Sequence, residues 1–147
     1  MNAIGYRVRL ASWPHEQHAL RGVRTRVFVE EQRVPASLEW DNEDDGARHF
    51  IAEDDQGRPI GTARLLPSGQ IGRMAVEREW RGRGVGDALL KLALTTAEAA
   101  FASSPFLNAQ IQVVPFYARL GFRPMGERFL EAGILHQRMV LETNERD

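Results

Sequence analysis

Cysteine is absent from this 147-residue chain, and that absence excludes disulfides, thiolate metal sites and a cysteine nucleophile together. No apolar run approaches the roughly 18 residues of a membrane-spanning helix. The N-terminus lacks the basic-then-apolar layout of a signal peptide. A cytoplasmic location with no membrane partner is the resulting expectation. Net charge is almost lacking, at −1, so no global field favours nucleic acid. No His, Asp and Glu group has convincing metal spacing. Glu39, Asp41 and Asp44 lack the in-register Gly and distal Glu of a calcium loop, so no metal is expected. What is present is ordinary for a soluble globular protein: 43% hydrophobic and 27% charged residues. The length suits one domain over residues 1–147, without internal repeat or low-complexity segment.

Periodicity supplies the order of elements. Tyr6, Val8 and Leu10 alternate with Arg7 and Arg9, as in a half-buried strand. Ser12 suits a helix cap, with the helix starting near Pro14 and running through Val27 or beyond. Residues 34–47 are acidic and irregular, and Glu43 and Asp45 read as solvated. Strands at 49–53, 60–66 and 70–76 are separated by turn clusters and form an antiparallel meander. A helix from about 84 to 101 follows, broken by Ser103, Ser104 and Pro105. A strand at 107–112 then pairs in parallel through a crossover. A short helix at 115–120, strands near 124–130 and 136–141, and a polar tail at 144–147 complete the chain. The expected fold class is α+β (mixed α/β), a mixed, mostly antiparallel sheet with helices on both faces.

The densest chemical signal is Arg81-Gly82-Arg83-Gly84-Val85-Gly86, ahead of the apolar stripe Val85, Ala88, Leu89, Leu92, Ala93, Thr96, Ala97 and Ala100. Glycines before a helix turn backbone N–H groups inward, and the helix start adds unpaired donors and partial positive charge. This is a site for phosphate or pyrophosphate, with Arg81 and Arg83 able to add contacts. A Walker loop fails, because Gly86-Asp87-Ala88 supplies neither the Lys nor the hydroxyl. A dinucleotide fingerprint fails on spacing and on the missing acidic ribose ligand. The remaining pattern, Arg81-x-x-Gly84-x-Gly86, resembles the acetyl-CoA pyrophosphate loop of the GNAT N-acetyltransferase superfamily. The bland alternative is a Gly-rich turn before a helix.

Two further segments resemble the same superfamily. Phe116-Tyr117-Ala118-Arg119-Leu120-Gly121-Phe122 is similar to its late Phe-Tyr-x-x-x-Gly-Phe signature. Val27-Phe28-Val29-Glu30-Glu31-Gln32-Arg33-Val34-Pro35, followed by Glu39, Asp41, Asp44, Ala47 and His49, resembles its ElaA-like branch. The resemblance spans roughly residues 7–141. It implies that strands 70–76 and 107–112 splay apart around the pantetheine arm, with acetyl-CoA as cosubstrate. It also implies an amine acceptor, a small molecule or a protein, and homodimers occur in the superfamily. Backbone groups of Met74, Ala75 and Val76 would bind pantetheine and polarise the thioester carbonyl. Gly82, Arg83, Gly84, Val85 and Gly86, with Arg81, would hold the pyrophosphate. Gln110 or Asn108 would bond the pantetheine, Gln110 matching the branch better.

An alkyl amine of pKa about 10.4 is only about one part in a thousand neutral at pH 7, so the site must remove a proton or desolvate the amine. Tyr117 matches the superfamily's usual general acid for the thiolate; the alternative is a buried core tyrosine. For the base, Glu31 follows the first helix in the branch motif, and His136 lies on a late strand with an imidazole suited to neutral pH. Their alternatives are a cap or salt bridge with an Arg such as Arg26, and a hydrogen-bonded core histidine. His49 is a weaker candidate, and His15 and His18 read as surface. The expected function is direct transfer of acetyl from acetyl-CoA to a primary amine in a ternary complex. The acidic stretch 39–45 would attract a cationic acceptor. The alternatives are a module that holds acetyl-CoA without turnover and, more weakly, an adenine-nucleotide phosphate binder.

Overall fold

The computed structural model describes residues 5–100 and 104–141. The expected helix end at Phe101, the breaker Ser103 and the tail at 144–147 lie outside the described residues. Within them the chain runs β1 (Tyr6–Ala11), α1 (Trp13–Arg24), a π-helical stretch (Thr25–Glu31), α2 (Ala36–Glu39), β2 (Arg48–Asp54), β3 (Pro59–Leu65) and β4 (Gln70–Val76). It continues through α3 (Val85–Ala100), β5 (Phe106–Gln110), α4 (Val114–Arg119), β6 (Phe122–Pro124), β7 (Phe129–Glu131) and β8 (Ile134–Leu141). One sheet has the order β1-β2-β3-β4-β5-β8-β6, with β7 paired to β8. Every pairing is antiparallel except β4 with β5. The fold is the mixed, mostly antiparallel α+β sheet that the periodicity anticipates.

The alternation along β2 shows how the two layers are built. Phe50 and Ala52 face the α3 side, packing with Ile60, Leu89, Leu90 and Ala93. Ile51, between them, faces α1 and packs with Trp13 and Leu20. Successive strand residues therefore serve opposite helical layers, the period-two rule at work. Gly61 lets α3 sit close on the sheet: a Cβ there would lie 3.1 Å from Leu89 Cδ1 and 3.2 Å from Val85 Cγ1.

Three local expectations change. Ser12 precedes α1 without a side-chain cap; instead Glu16, in the first turn, accepts the Ser12 N–H at 2.8 Å. The helix does not run on as α-helix past Arg24 but widens into the π-helical stretch, closed by Gln32 N–H donating to Val27 C=O at 3.0 Å. The strand expected near 124–130 is two short strands, β6 and β7, because Gly126 at φ +80 turns the chain between them.

Candidate active site

The site begins where β4 and β5 part. Their parallel pairing holds only for Gln70 with Phe106 and Ile71 with Leu107. Beyond Ile71 the β5-facing backbone groups of β4 have no strand partner among the described residues, and a cavity of about 330 Å³ opens between the strands. On its other edge β4 carries a β-bulge: Gly72 pairs with Arg64 and Ala75 with Thr62, so Arg73 and Met74 together oppose Ala63. Arg73 sits at φ +48. The other described non-glycine residues with positive φ, Arg33, Asn42 and Ala132, lie outside strands. A side chain in this region costs about 1–2 kcal/mol, so something must hold it there.

Gly72, Arg73 and Met74 form one wall of the cavity, and Asn108, Ala109 and Gln110 of β5 face them. Tyr117 and His136 line the same space. Tyr117 is delivered by α4, which starts at a Pro-bearing first turn and ends at Gly121, φ +99. Its ring packs edge-on to Phe116 and Phe122 at centroid distances of 5.0 and 6.1 Å. Burial pushes the Tyr117 phenol pKa up to about 12. His136 Nδ1 lies 2.7 Å from the Ile134 carbonyl oxygen. A carbonyl only accepts, so Nδ1 carries the proton and Nε2 is left as the accepting nitrogen. The ring is stacked on Phe129.

At the far end of β4 the chain turns through residues 78–84 into α3. Gly82 and Gly84 adopt φ +77 and +90, and the first helical bond runs from Ala88 N–H to Gly84 C=O. The N–H groups of Gly84, Val85, Gly86 and Asp87 thus lack an i−4 partner within the helix. A Cβ on Gly84 would stand 3.2 Å from the Tyr6 hydroxyl.

An acetyltransferase (GNAT) domain model matches residues 14–143 of this chain. The chain belongs to the GNAT acetyltransferase family. Among curated proteins it is 38% identical to the N-acetyltransferase YjcF of Bacillus subtilis, over 80% of this chain and 86% of YjcF. It is 33% identical to ElaA of Escherichia coli, over 85% of this chain and 86% of ElaA. Among solved structures it is similar to an acyl-CoA N-acyltransferase from Pseudomonas aeruginosa, with a TM-score of 0.79 at 32% identity, covering 92% and 97% of the two chains. These relatives support the ElaA-like branch, and the chain is an acetyltransferase of a family that uses acetyl-CoA.

Within this acetyltransferase several sequence expectations separate. Glu31 is not among the cavity residues. Its carboxylate is gripped at both oxygens by Arg81 at 2.7 Å, with Arg78 at 3.6 Å. Hydrogen bonding to Arg81 holds its pKa below the usual carboxylate range. The salt-bridge alternative is what the fold builds, but the partner is Arg81; Arg26 pairs instead with Glu77. Arg81 also donates to Val76 C=O, so it braces the loop rather than standing free for phosphate. Arg83 lies over the Trp80 ring at 4.6 Å. Gln110 donates to Gln32 Oε1 at 3.0 Å and accepts from Gln112 at 2.6 Å, whereas Asn108 Oδ1 is buried with no partner among the described residues. His49 is withdrawn from the site: it stacks on Trp13 at 4.5 Å and donates to the Asp44 carbonyl. Burial lowers its pKa. His15 and His18 are exposed, as expected.

The acidic stretch divides into exposed and inward-facing acids. Glu43 and Asp45 are solvated, but Glu39, Asp41 and Asp44 turn inward onto the acetyltransferase's own arginines. Arg24 bonds Glu39 at 2.6 Å and Asp44 at 2.9 Å. Arg64 bonds Asp41 at 2.9 Å and Asp44 at 3.1 Å. Arg73 bonds Glu39 at 3.2 Å and Asp41 at 2.9 Å. Three acids meet three guanidiniums, so within the stretch only Glu43 and Asp45 are left exposed to draw a cationic acceptor. Burial works to raise the Asp41 pKa, yet hydrogen bonding and charge from Arg64 and Arg73 outweigh it and hold the value at about 2. For the deeper Glu39 burial wins, and its pKa is pushed up. Sequence reasoning noticed these acids as a motif but missed Arg24, Arg64 and Arg73 as their partners. No local pattern pairs them, since they come from α1, β3 and β4.

Proposed function

We propose that this acetyltransferase moves an acetyl group from acetyl-CoA directly to a primary amine in a ternary complex. The observation that carries the reading is the single cavity that Tyr117 and His136 share with the bulged, partner-free edge of β4. The residues fit the donor. Left-handed Gly82 and Gly84 leave the α3 N-terminus open to a pyrophosphate, and the gap beyond Ile71 offers an extended lane for pantetheine. Met74 lines that lane, Ala75 and Val76 continue the same strand beyond it, and Asn108 Oδ1 offers an open acceptor for a pantetheine amide, a role it takes over from Gln110, which is already bonded to Gln32 and Gln112. Gly84, Val85 and Gly86 supply the phosphate donors, while Arg81 shapes the loop.

The Met74 amide acts as a fixed donor toward the thioester oxygen, where negative charge grows as the amine attacks. His136 Nε2 takes the amine proton, directly or through a water. Tyr117, a neutral phenol at every working pH, hydrogen-bonds the departing sulfur. Full proton transfer from a pKa of about 12 to an ordinary thiolate of about 8.5 runs uphill, so donation strengthening with charge is the main effect. The proton follows only if burial raises the thiol pKa as well. Glu31, already ionised against Arg81, is reassigned from base to loop anchor. The absence of cysteine agrees with direct transfer rather than an acyl-enzyme.

The test is release of free coenzyme A thiol from acetyl-CoA across a panel of primary amines, with His136→Asn beside wild type. Asn can keep the hydrogen bond to Ile134 but cannot take a proton. The rate should fall about 10–100-fold, on the low side for a general base because water can substitute. Tight acetyl-CoA binding without thiol release for any amine would favour a non-catalytic module instead.

A further inference from the structure

We propose that Arg73 is a positioning residue. Its guanidinium, locked to the loop that carries Glu39 and Asp41, keeps the β4 bulge in the conformation that presents the Met74 amide to the thioester. The inference rests on the acetyl-transfer reading above. It starts from an inconsistency between sequence and backbone. At φ +48 a glycine would carry the bulge without strain, and Gly72 stands next door, yet the strained position holds an arginine. The side chain must therefore supply what the backbone alone does not.

What it supplies is a two-sided clamp. On one side Arg73 Nε and Nη2 donate to the Glu39 carbonyl at 3.3 and 3.0 Å, and Nη2 donates to Asp41 Oδ2 at 2.9 Å. On the other side the Arg73 carbonyl accepts from Thr62 Oγ1 at 3.1 Å. The loop is an adequate anchor because it is itself fixed. Glu39 and Asp44 are almost fully enclosed and held by Arg24, which is 1% exposed, and by Arg64. Buried ion pairs of this kind repay their desolvation poorly as stabilisers; fixing one arrangement among several is their better-attested use. Here the arrangement they fix includes the bulge. Leu38 and Glu39 also line the cavity, so the wall on the loop side and the carbonyl-polarising amide are built as one unit.

The decisive comparison uses wild type, Arg73→Gly, Arg73→Lys and Asp41→Asn. Glycine accepts the left-handed backbone but lacks the clamp. The primary readout is the infrared carbonyl stretch of bound acetyl-CoA labelled with ¹³C at the thioester carbon, which reports polarisation without turnover. Coenzyme A affinity and kcat are measured alongside. In wild type the band should move to lower wavenumber on binding. In Arg73→Gly it should return toward the free position, and kcat should fall about 10–100-fold, the scale of a misplaced reacting geometry. Coenzyme A affinity should hold, because the phosphate loop is untouched. Arg73→Lys should recover part of the shift, and Asp41→Asn should move both readouts in the direction of Arg73→Gly by less. Wild-type band position and kcat in Arg73→Gly, or in Asp41→Asn should the glycine variant not fold, would overturn the role of Arg73 while leaving acetyl transfer standing. A wild type that binds no acetyl-CoA would overturn the acetyl-transfer reading and this inference with it.

Discussion

The two ends of the site are built on opposite plans. The proposed donor end, residues 82–86 at the start of α3, is built of backbone: left-handed glycines, N–H groups without helical partners, and Arg81, which braces the loop. The loop-side wall behind the β4 bulge is buried charge: three acids and three arginines drawn from four different segments. Almost all the basic charge in the chain is arginine, with Lys91 the sole lysine, and the bidentate geometry of the buried wall requires that choice. The lesson is that a site for an invariant ligand fragment can be written into a short local motif, because pyrophosphate needs only N–H groups and dipole. A wall that sets the position of one strand residue has to be assembled from distant parts.

The comparison can be broken first at its centre. Tyr117→Phe should keep coenzyme A affinity and lower kcat by about 10–1000-fold, the scale of losing one donor aimed at charge that grows in the transition state. With the phenol pKa near 12, the wild-type pH–rate profile should show no falling limb from Tyr117 below about pH 11. An unchanged kcat, with chemistry shown to limit the rate, would return Tyr117 to a core-packing role.

At the donor end, Gly84→Asp should weaken coenzyme A binding by about 100-fold or more, because it combines left-handed strain with negative charge where phosphate sits. The Cβ would also crowd the Tyr6 hydroxyl at 3.2 Å. Calorimetry with circular dichroism of the fold checks it, and undiminished affinity in a folded variant would remove the loop from the donor site.

The buried wall should respond to acid instead. The folded pKa of Asp41, about 2, lies below its ordinary 3.8. Its contribution is therefore full above about pH 4 and lost as pH falls toward 2, amounting to about 2 kcal/mol. Glu39 works the other way: its raised pKa makes the folded state the tighter proton binder, so acid does not remove its part. Asp41→Asn should lower the melting temperature at pH 6 and flatten its decline between pH 4 and pH 2. A parallel decline in both proteins would show that Asp41 gains nothing from Arg64 and Arg73.

The smallest effect joins the two ends. Glu31→Gln should weaken coenzyme A binding only about 3–10-fold, as expected for loosening a half-exposed ion pair of about 1 kcal/mol. It should leave kcat unchanged at saturating donor. A large fall in kcat with normal affinity would restore Glu31 as the base.

Much of this protein was legible without coordinates. Strand alternation and helical periodicity are local, so β1 to β5, α3 and α4 could be placed within a few residues. The phosphate loop and the Tyr117 segment were legible because glycine and proline carry their conformational requirements in their own covalent structure. The division of β6 from β7 was missed, since short edge strands carry little pattern. The π-helical widening after Arg24 was missed too, because it depends on what the turn packs against. What the sequence by itself determined was therefore the order of the main strands and helices, the α+β class and the glycine-rich loop that is proposed to hold the donor. Only the tertiary structure decided that Glu31 serves Arg81, that Gln110 is bonded away while Asn108 is open, and that Glu39, Asp41 and Asp44 face inward. It alone decided that Arg73 sits left-handed in mid-strand. The physical reason is that a charge's role depends on which opposite charge reaches it first. Here the partners stand 15 to 50 residues apart in the chain and meet only once the sheet has formed.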